Sequence, residues 1–302
     1  VHLASCAPDP AAYLSDVPVH QDGSCNGLQH YAALLKDRAG GEQVNLTPSE
    51  QPQDVYAGVR ALVAQKVEDD AAAGDALAGR LVGLVSRKVV KQTVMTSVYG
   101  VTYVGARQQI QNRLEEVKEL KACTETEHFA MAGYLAKLTM QSLGTVFSGA
   151  TDAMGWMASA ASQIAKESGK PVQWTTPLGL PVLQPYMKPE MQRVKTVLAQ
   201  LSLTREMDPT DARARVNSMK QRSAFSPNYV HSIDSTHMLM TAVECRRRGL
   251  VFAAVHDSYW THACDVDEMN EVLRDKFVEL HSQPLLEQVL DSFRQRYPEV
   301  AW

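Results

Sequence analysis

The stretch VPVHQDGSCNGLQHYAALLKD, Val17–Asp37, decides how the rest of the chain is read. Its first half alternates. Val17, Val19 and Gln21 fall on one face and Pro18, His20 and Asp22 on the other, the period of a half-buried strand. Its second half is helical: Leu28, Tyr31, Ala32 and Leu35 recur at i, i+3, i+4 and i+7 and make one apolar stripe. Asp22 is therefore expected where a strand ends and a small-residue turn begins, with a rigid element on each side. Gly23 leaves room for a ligand to approach the backbone. A competing reading is purely local, an Asx-type turn that caps the following helix.

Bulk composition sets the frame. The 302 residues are enough for one large or two ordinary domains. A hydrophobic share of 45% and a charged share of 21% describe a globular chain, and no apolar run approaches the roughly 20 residues of a membrane span. Val1-His2-Leu3 open without an initiator Met, so the sequence reads as part of something longer. Five cysteines, Cys6, Cys25, Cys123, Cys245 and Cys264, show neither a CxxC pair nor zinc spacing, which suggests reduced thiols. A net charge of −4 argues against non-specific coating of nucleic acid, but leaves room for a local basic groove. Basic residues gather at Arg87, Lys88, Lys91, Arg107 and Arg113, and again at Arg193, Lys195, Arg205, Arg213, Arg215, Lys220 and Arg222. The Ala/Gly-rich stretch with Glu68, Asp69, Asp70 and Asp75 reads as a solvated connection.

Helices dominate the middle. SRKVVKQTVMTSVYG ends in glycine, a common helix stop. TETEHFAMAGYLAKLTMQSL opens with Thr and Glu in capping positions. DAMGWMASAASQIAKESG runs to Gly169. PVQWTTPLGLPVLQPY then reads as a hairpin around Pro177-Leu178-Gly179. GLVFAAVHDSYWTHACD reads as strand, tight turn and strand, and Met269, Leu273, Phe277 and Leu280 mark a further amphipathic helix. The two ends of the chain thus predict one α+β layer, and the long insert a mostly helical lobe.

Asp257 sits at the turn of that last hairpin, after the apolar run Val251 to Val255. Two aspartates on strand ends of one sheet are what a pair of divalent metals needs. Mg²⁺ prefers hard oxygen ligands, commonly one or two carboxylates plus substrate phosphates, and two such ions can drive phosphoryl transfer. The competing reading makes Asp257 an ordinary turn residue. Between the two aspartates, Arg87 and Lys91 lie one turn apart on a helix face, with Tyr99 further along. A guanidinium and an ammonium there can grip a triphosphate, the lysine can give a proton to leaving pyrophosphate, and a tyrosine can pack under a base or sugar. A wet basic face with a core tyrosine accounts for the same spacing.

These residues resemble a known family. Asp22-Gly23-Ser24-Cys25 followed by Gly27-Leu28-Gln29-His30 is similar to motif A of the single-subunit, bacteriophage-type RNA polymerases. Arg87-x₃-Lys91-x₇-Tyr99-Gly100 resembles their motif B, and His256-Asp257-Ser258 their motif C. SPNYVHSIDSTH, Ser226–His237, resembles the segment whose histidine contacts the incoming ribose. The match runs in order over essentially the whole chain. The wording and the terminal YPEVAW look most like the animal mitochondrial branch.

The resemblance implies a right-hand polymerase fold of α+β class. Its palm would comprise residues 1–50 and 231–302, with helical fingers over 51–230. The fingers would carry the motif B helix at 86–100 and a specificity loop, which reads promoter DNA, within about 174–222. It implies that Asp22 and Asp257, with the Gly23 carbonyl, bind two Mg²⁺ ions. Arg87 and Lys91 would bind the nucleoside triphosphate, Lys91 as general acid, and Tyr99 and His231 would discriminate ribose from deoxyribose. Tyr56, in QDVYAGV, resembles a residue near the template, and Gly100 falls with it as a template contact. Implied partners are the DNA template, the RNA transcript, NTPs, N-terminal and thumb domains of the same polypeptide, mitochondrial initiation factors and an elongation factor. The implied place is the nucleoid of the mitochondrial matrix, with no membrane partner.

Two alternatives stay open at this level. A DNA polymerase of the related bacterial repair type shares the Arg–Lys–Tyr helix and the paired aspartates. That family usually has a bulkier acidic steric gate and a His-Asp-Glu turn, whereas here Asp22 precedes Gly23-Ser24 and Asp257 precedes Ser258. A fragment that folds and docks partners without catalytic competence is the other.

Overall fold

The structure is a computed structural model and describes residues 5–6, 8–196, 198–211 and 213–302. Strand β1, Val19–Asp22, alternates as its sequence requires, with Val19 and Gln21 half-buried and His20 and Asp22 exposed. Val17 is not part of it and is exposed; Pro18 has no N–H to give a ladder, so pairing begins after it. Helix α1, Asn26–Leu35, buries Leu28, Tyr31 and Ala32 as expected.

The C-terminal hairpin supplies the rest of this sheet. β6, Ala253–Val255, and β7, Ser258–Thr261, are antiparallel, and β7 also pairs with β1, giving the order β1-β7-β6. In that register Asp22 lies opposite Ser258 and Val19 opposite Thr261. The register therefore brings Asp22 and the His256-Asp257 turn to one end of the sheet, although the whole helical insert separates them in sequence.

That insert contains α2, Arg38–Gln43, α3, Val55–Ala72, α4, Ala76–Gly79, α5, Arg87–Ser97, α6, Tyr103–Leu114, α7, Glu125–Val146, and α8, Ser148–Gln163. The capping signal of α7 is realised as a full box: Thr124 Oγ1 accepts from the Glu127 amide, and the Glu127 carboxylate accepts from the Thr124 amide. A short π-helical turn, Ile164–Ser168, extends α8 to Gly169, whose φ of 67° ends it.

The acidic stretch expected as a connection is corrected. α3 runs through its first half, because Val55, Val59, Val63 and Val67 continue one buried stripe at four-residue spacing and alanine carries no helix penalty. Of the charges, Asp70 accepts from Tyr134 Oη at 2.5 Å. Asp75 caps α4 through the amides of Leu77 and Ala78.

The hairpin β2, Gln173–Thr175, and β3, Pro181–Leu183, forms around Gly179 as read from the sequence. A second hairpin, β4, Glu190–Lys195, with β5, Gln200–Arg205, was not legible. Apart from half-buried Val194 its strands are exposed on both faces, so they show no inward-outward alternation. Arg193, Lys195 and Arg205 of the second basic group stand on it.

α9, Ser218–Arg248, is 31 residues long, about 46 Å at 1.5 Å per residue. It packs on α1, on α8 and on α10, Val266–His281. Pro227 lies inside it and supplies no amide to the Ser223 carbonyl one turn earlier. Gly100, at φ 76°, sits against that carbonyl, where a Cβ would come within 3.3 Å of the oxygen. α11, Leu285–Arg296, closes the chain with Val289 and Phe293 buried. No described helix is long and apolar enough to cross a membrane.

Three histidines meet between α1, α9 and α10. His281 Nδ1–H donates to the Phe277 carbonyl at 2.9 Å and His237 Nε2–H to that of Leu273 at 2.9 Å. His30 Nδ1 and His281 Nε2 are 3.2 Å apart; with the other His281 nitrogen donating, His30 is the donor of the pair. Burial pushes His237 down to about 4 and His281 down to about 3, from 6.5. Both are neutral when folded, whereas the unfolded chain takes up protons below 6.5. Stability is thus full above that pH and falls as pH drops toward the folded values. At pH 5.5 the expected loss is about 1.4 kcal/mol for each ring. Urea unfolding at pH 7.5 and 5.5 measures it, and His237→Gln should remove one ring's share. An equal midpoint at the two pH values would contradict the assignment.

Candidate active site

Asp22 does not cap α1. The cap position is Cys25, at φ 62° and with no side-chain cap bond. Asp22 Oδ1 instead accepts from Ser258 Oγ at 2.9 Å. Across the sheet end, Asp257 Oδ1 accepts from His256 Nδ1 at 2.8 Å. A Cβ on Gly23 would stand 3.8 Å from Asp257 Oδ2, an ordinary contact, so space alone does not demand glycine there, and Gly23 lines the cleft as a residue open to a ligand would. The tightly packed glycine of the quoted turn is Gly27: a Cβ there would meet Val98 Cγ2 at 2.6 Å and Tyr99 Oη at 3.2 Å. His256 holds the turn with φ 57°, a left-handed conformation that costs a non-glycine residue about 1–2 kcal/mol.

Each carboxylate thus has one oxygen fixed by a protein donor. The described residues contain no ready-made group of three His, Cys, Asp or Glu ligands. Two carboxylates and the Gly23 carbonyl are nonetheless a hard oxygen set beside an open cleft, and this fits Mg²⁺, which takes its remaining ligands from water and substrate phosphates.

Arg87 opens α5 and Lys91 follows one turn later, both exposed. Arg87 Nε donates to Asp54 Oδ2 at 2.6 Å and Nη2 to Oδ1 at 3.3 Å. The Arg87 bond holds the Asp54 carboxyl below its ordinary range. Both cations stand over the Tyr56 ring, Arg87 at 4.9 Å and Lys91 at 5.6 Å from its centroid. Lys91 makes no ion pair among the described residues.

The helix expected over 86–100 is shorter. It ends at Ser97 with Val98 as its cap, so Tyr99 stands in the closing turn, which Gly100 completes at positive φ. That turn aims Tyr99 at α9. Its ring lies edge-on to His231 at 4.5 Å, and His231 edge-on to His256 at 5.3 Å. Burial, helped by the Asp257 and Asp234 carboxylates, pushes the Tyr99 phenol up to about 12, so it is a donor at neutral pH. Burial and then His256 lower the His231 pKa, so the neutral ring can donate at one nitrogen and accept at the other.

One cleft of about 670 Å³ is lined by Asp22, Gly23, Tyr56, Arg87, Lys91, Tyr99, His231 and Asp257 together. Gly100 does not line it; it borders a separate apolar cavity with Val98 and Met140. Sequence reasoning missed two residues. Asp54 was visible as a helix-capping aspartate two residues before Tyr56. Asp234 was visible only as an acid one helical turn beyond His231.

The whole chain, residues 1–302, matches the DNA-dependent RNA polymerase family. It is 51% identical over 300 residues to DNA-directed RNA polymerase 1B, mitochondrial, of Nicotiana tabacum, covering 97% of this chain and 29% of that protein. It is 52% identical over 295 residues to DNA-directed RNA polymerase 2A of the same plant, covering 96% and 86%. A third relative is DNA-directed RNA polymerase 2, chloroplastic/mitochondrial, of Arabidopsis thaliana, at 51% over 300 residues, covering 97% and 29%. The chain therefore spans less than a third of two of these relatives. All three come from plants, where the wording of the sequence pointed toward an animal branch.

Proposed function

The chain belongs to the DNA-dependent RNA polymerase family, and on that premise we propose that it is the catalytic region of an organellar, single-subunit RNA polymerase. The observation that carries the reading is one cleft lined by both Asp22 and Asp257 and both Arg87 and Lys91. In this reading the β1-β7-β6 sheet with α9 to α11 is the palm, and the helical insert is the fingers. The exposed β4–β5 hairpin is the specificity loop that meets DNA. A DNA polymerase of the repair type is not favoured, because the full length matches RNA polymerases.

Asp22, Asp257 and the Gly23 carbonyl would hold two Mg²⁺ ions, which supply charge neutralisation for the triphosphate and activation of the attacking RNA 3′-hydroxyl. Arg87 exchanges Asp54 for the triphosphate, a polyanion of matching geometry. Lys91 gives a proton to the departing pyrophosphate oxygen. Tyr56 supports both cations and borders the template, and Gly100 takes the template from the far side of the turn. The template, the transcript, NTPs and the remaining domains of the polypeptide are the partners, with initiation and elongation factors acting on the assembled enzyme. The place of action is a mitochondrion, in the matrix nucleoid, or a plastid, as the names of the relatives suggest.

Sugar choice tests the reading. A 2′-hydroxyl both donates and accepts, and a deoxy sugar leaves its partner unpaired. Tyr99→Phe keeps the ring and removes the donor. The expected loss of discrimination is about 1–3 kcal/mol, roughly ten- to a hundred-fold in relative kcat/KM. Primer extension with NTPs and with dNTPs, by wild type, Tyr99→Phe and His231→Ala, measures it. A wild type that prefers dNTPs would overturn the RNA polymerase reading. An unchanged ratio in both variants would remove these residues from selection.

A further inference from the structure

Asp234 is buried inside α9, at 4% exposure. Its partners come from the two segments that carry the cleft aspartates. From α1, Asn26 Nδ2 donates to Asp234 Oδ1, and His30 Nε2 lies 3.5 Å from the same oxygen. Asn26 and His30 are one helical turn apart, immediately after Asp22-Gly23. From the hairpin turn, His256 Nε2 lies 3.4 Å from Asp234 Oδ2. The same imidazole holds Asp257 through its other nitrogen at 2.8 Å. Asp234 itself stands one turn beyond His231 on α9, whose ring contacts both Tyr99 and His256.

This arrangement has a physical purpose. The His256-Asp257 turn is exposed on its cleft side, and His256 keeps a left-handed backbone. Such a conformation persists where the surroundings over-determine it. A buried carboxylate that grips the outer nitrogen of His256 does so. It also ties that turn to α1, and so to Asp22, without occupying the cleft. Burial works to raise the Asp234 carboxyl, but the neighbouring His30, His256 and Asn26 outweigh it and leave it lowered. The carboxylate thus faces both imidazoles at ion-pair distance, with Asn26 as its hydrogen-bond donor.

We propose that Asp234 is a positioning residue that orients Asp257 through His256 and locks it in register with Asp22. The inference rests on the reading of Asp22 and Asp257 as metal-binding carboxylates. Partners that orient a metal ligand typically contribute ten- to a hundred-fold in affinity or rate.

The test uses the full-length polypeptide with Asp234→Asn, which keeps the shape and removes the charge, and with His256→Gln, at a partly exposed position that leaves the core intact. Mn²⁺ binding is read by electron paramagnetic resonance without turnover. Single-nucleotide extension gives kcat and the KM for NTP, and thermal melting reports folding. Asp234→Asn is expected to weaken Mn²⁺ binding roughly ten-fold and to lower kcat by ten- to a hundred-fold, with the KM for NTP within about two-fold because Arg87 and Lys91 are untouched. His256→Gln should show the same pattern, and the double variant should be little worse than either single one, since both break one linkage. Wild-type Mn²⁺ affinity and kcat in either single variant would overturn the inference, as would fully additive losses in the double variant. If Asp234→Asn does not fold, His256→Gln alone decides. An Asp22→Asn variant that binds Mn²⁺ as tightly as wild type would overturn the metal reading itself, and this inference with it.

Discussion

Asp22→Asn and Asp257→Asn are each expected to abolish nucleotide addition, by on the order of a thousand-fold or more, while template binding persists. The amide preserves local structure. At position 22 its oxygen still accepts the Ser258 hydroxyl that bonds Asp22 Oδ1 in the native site, and at position 257 it still accepts from His256. What disappears is a negative charge from a site that must gather divalent cations around a polyanionic substrate. Neither substitution alters the proposed template contacts Tyr56 and Gly100, so fluorescence anisotropy with a labelled template should give nearly wild-type affinity. Single-nucleotide extension across a Mg²⁺ titration supplies the decisive comparison. Near-normal rates for either variant at saturating Mg²⁺ would sink the two-metal assignment and leave the aspartates as structural turn residues.

The strength of that expectation comes from a part of the chain that its sequence describes well. The switch from a two-residue to a helical period across Asp22 places the carboxylate at a strand end, and the structure has β1 and α1 on either side of it. The closing hairpin was equally legible, because an apolar run, a tight turn and an aromatic strand follow one another. What periodicity does not carry is contact between distant segments. Gly23 and Gly27 look alike in the sequence, yet only Gly27 is pressed against Val98 and Tyr99. The helix expected to reach residue 100 ends three residues earlier, at Ser97, since Val98 and Tyr99 continue an acceptable helical pattern until the positive φ of Gly100 stops it. The acidic stretch around residues 68–75 resembles a solvated connection because its charges and glycine mask the valine stripe that carries α3 to Ala72. Asp234 shows the limit most clearly. Its neighbours Ile233 and Ser235 say nothing of Asn26, His30 and His256, which reach it from segments far away in the chain. Arg87, Lys91, Tyr99 and His231 do line one cleft, but the roles proposed for them come from family resemblance and not from spacing, which a wet basic helix satisfies equally well.

Lys91 allows the chemistry to be separated from the grip on phosphate. It lies one turn beyond Arg87, above the Tyr56 ring, and no carboxylate among the described residues pairs with it. Arg87 is different: its fork is engaged by Asp54. In the proposed reading a triphosphate would displace Asp54 from Arg87, whereas the ammonium of Lys91 has no ion pair to give up among the described residues. If Lys91 gives a proton to the leaving oxygen, Lys91→Arg retains a cation but loses the function, because a guanidinium does not release its proton in this range. General acid catalysis typically contributes 10²–10⁴-fold, so the single-turnover rate of Lys91→Arg should fall by about a hundred-fold or more. Its Kd for NTP should change by only about three-fold, since the charge remains near the phosphates. Lys91→Ala should lose the same rate factor and bind NTP more weakly as well. Rapid-quench extension at several NTP concentrations separates the two quantities, and a solvent isotope effect on the wild-type rate that vanishes in Lys91→Arg would mark the proton transfer. A wild-type single-turnover rate in Lys91→Arg would reduce Lys91 to a phosphate clamp and move the proton to water or to another group in the cleft.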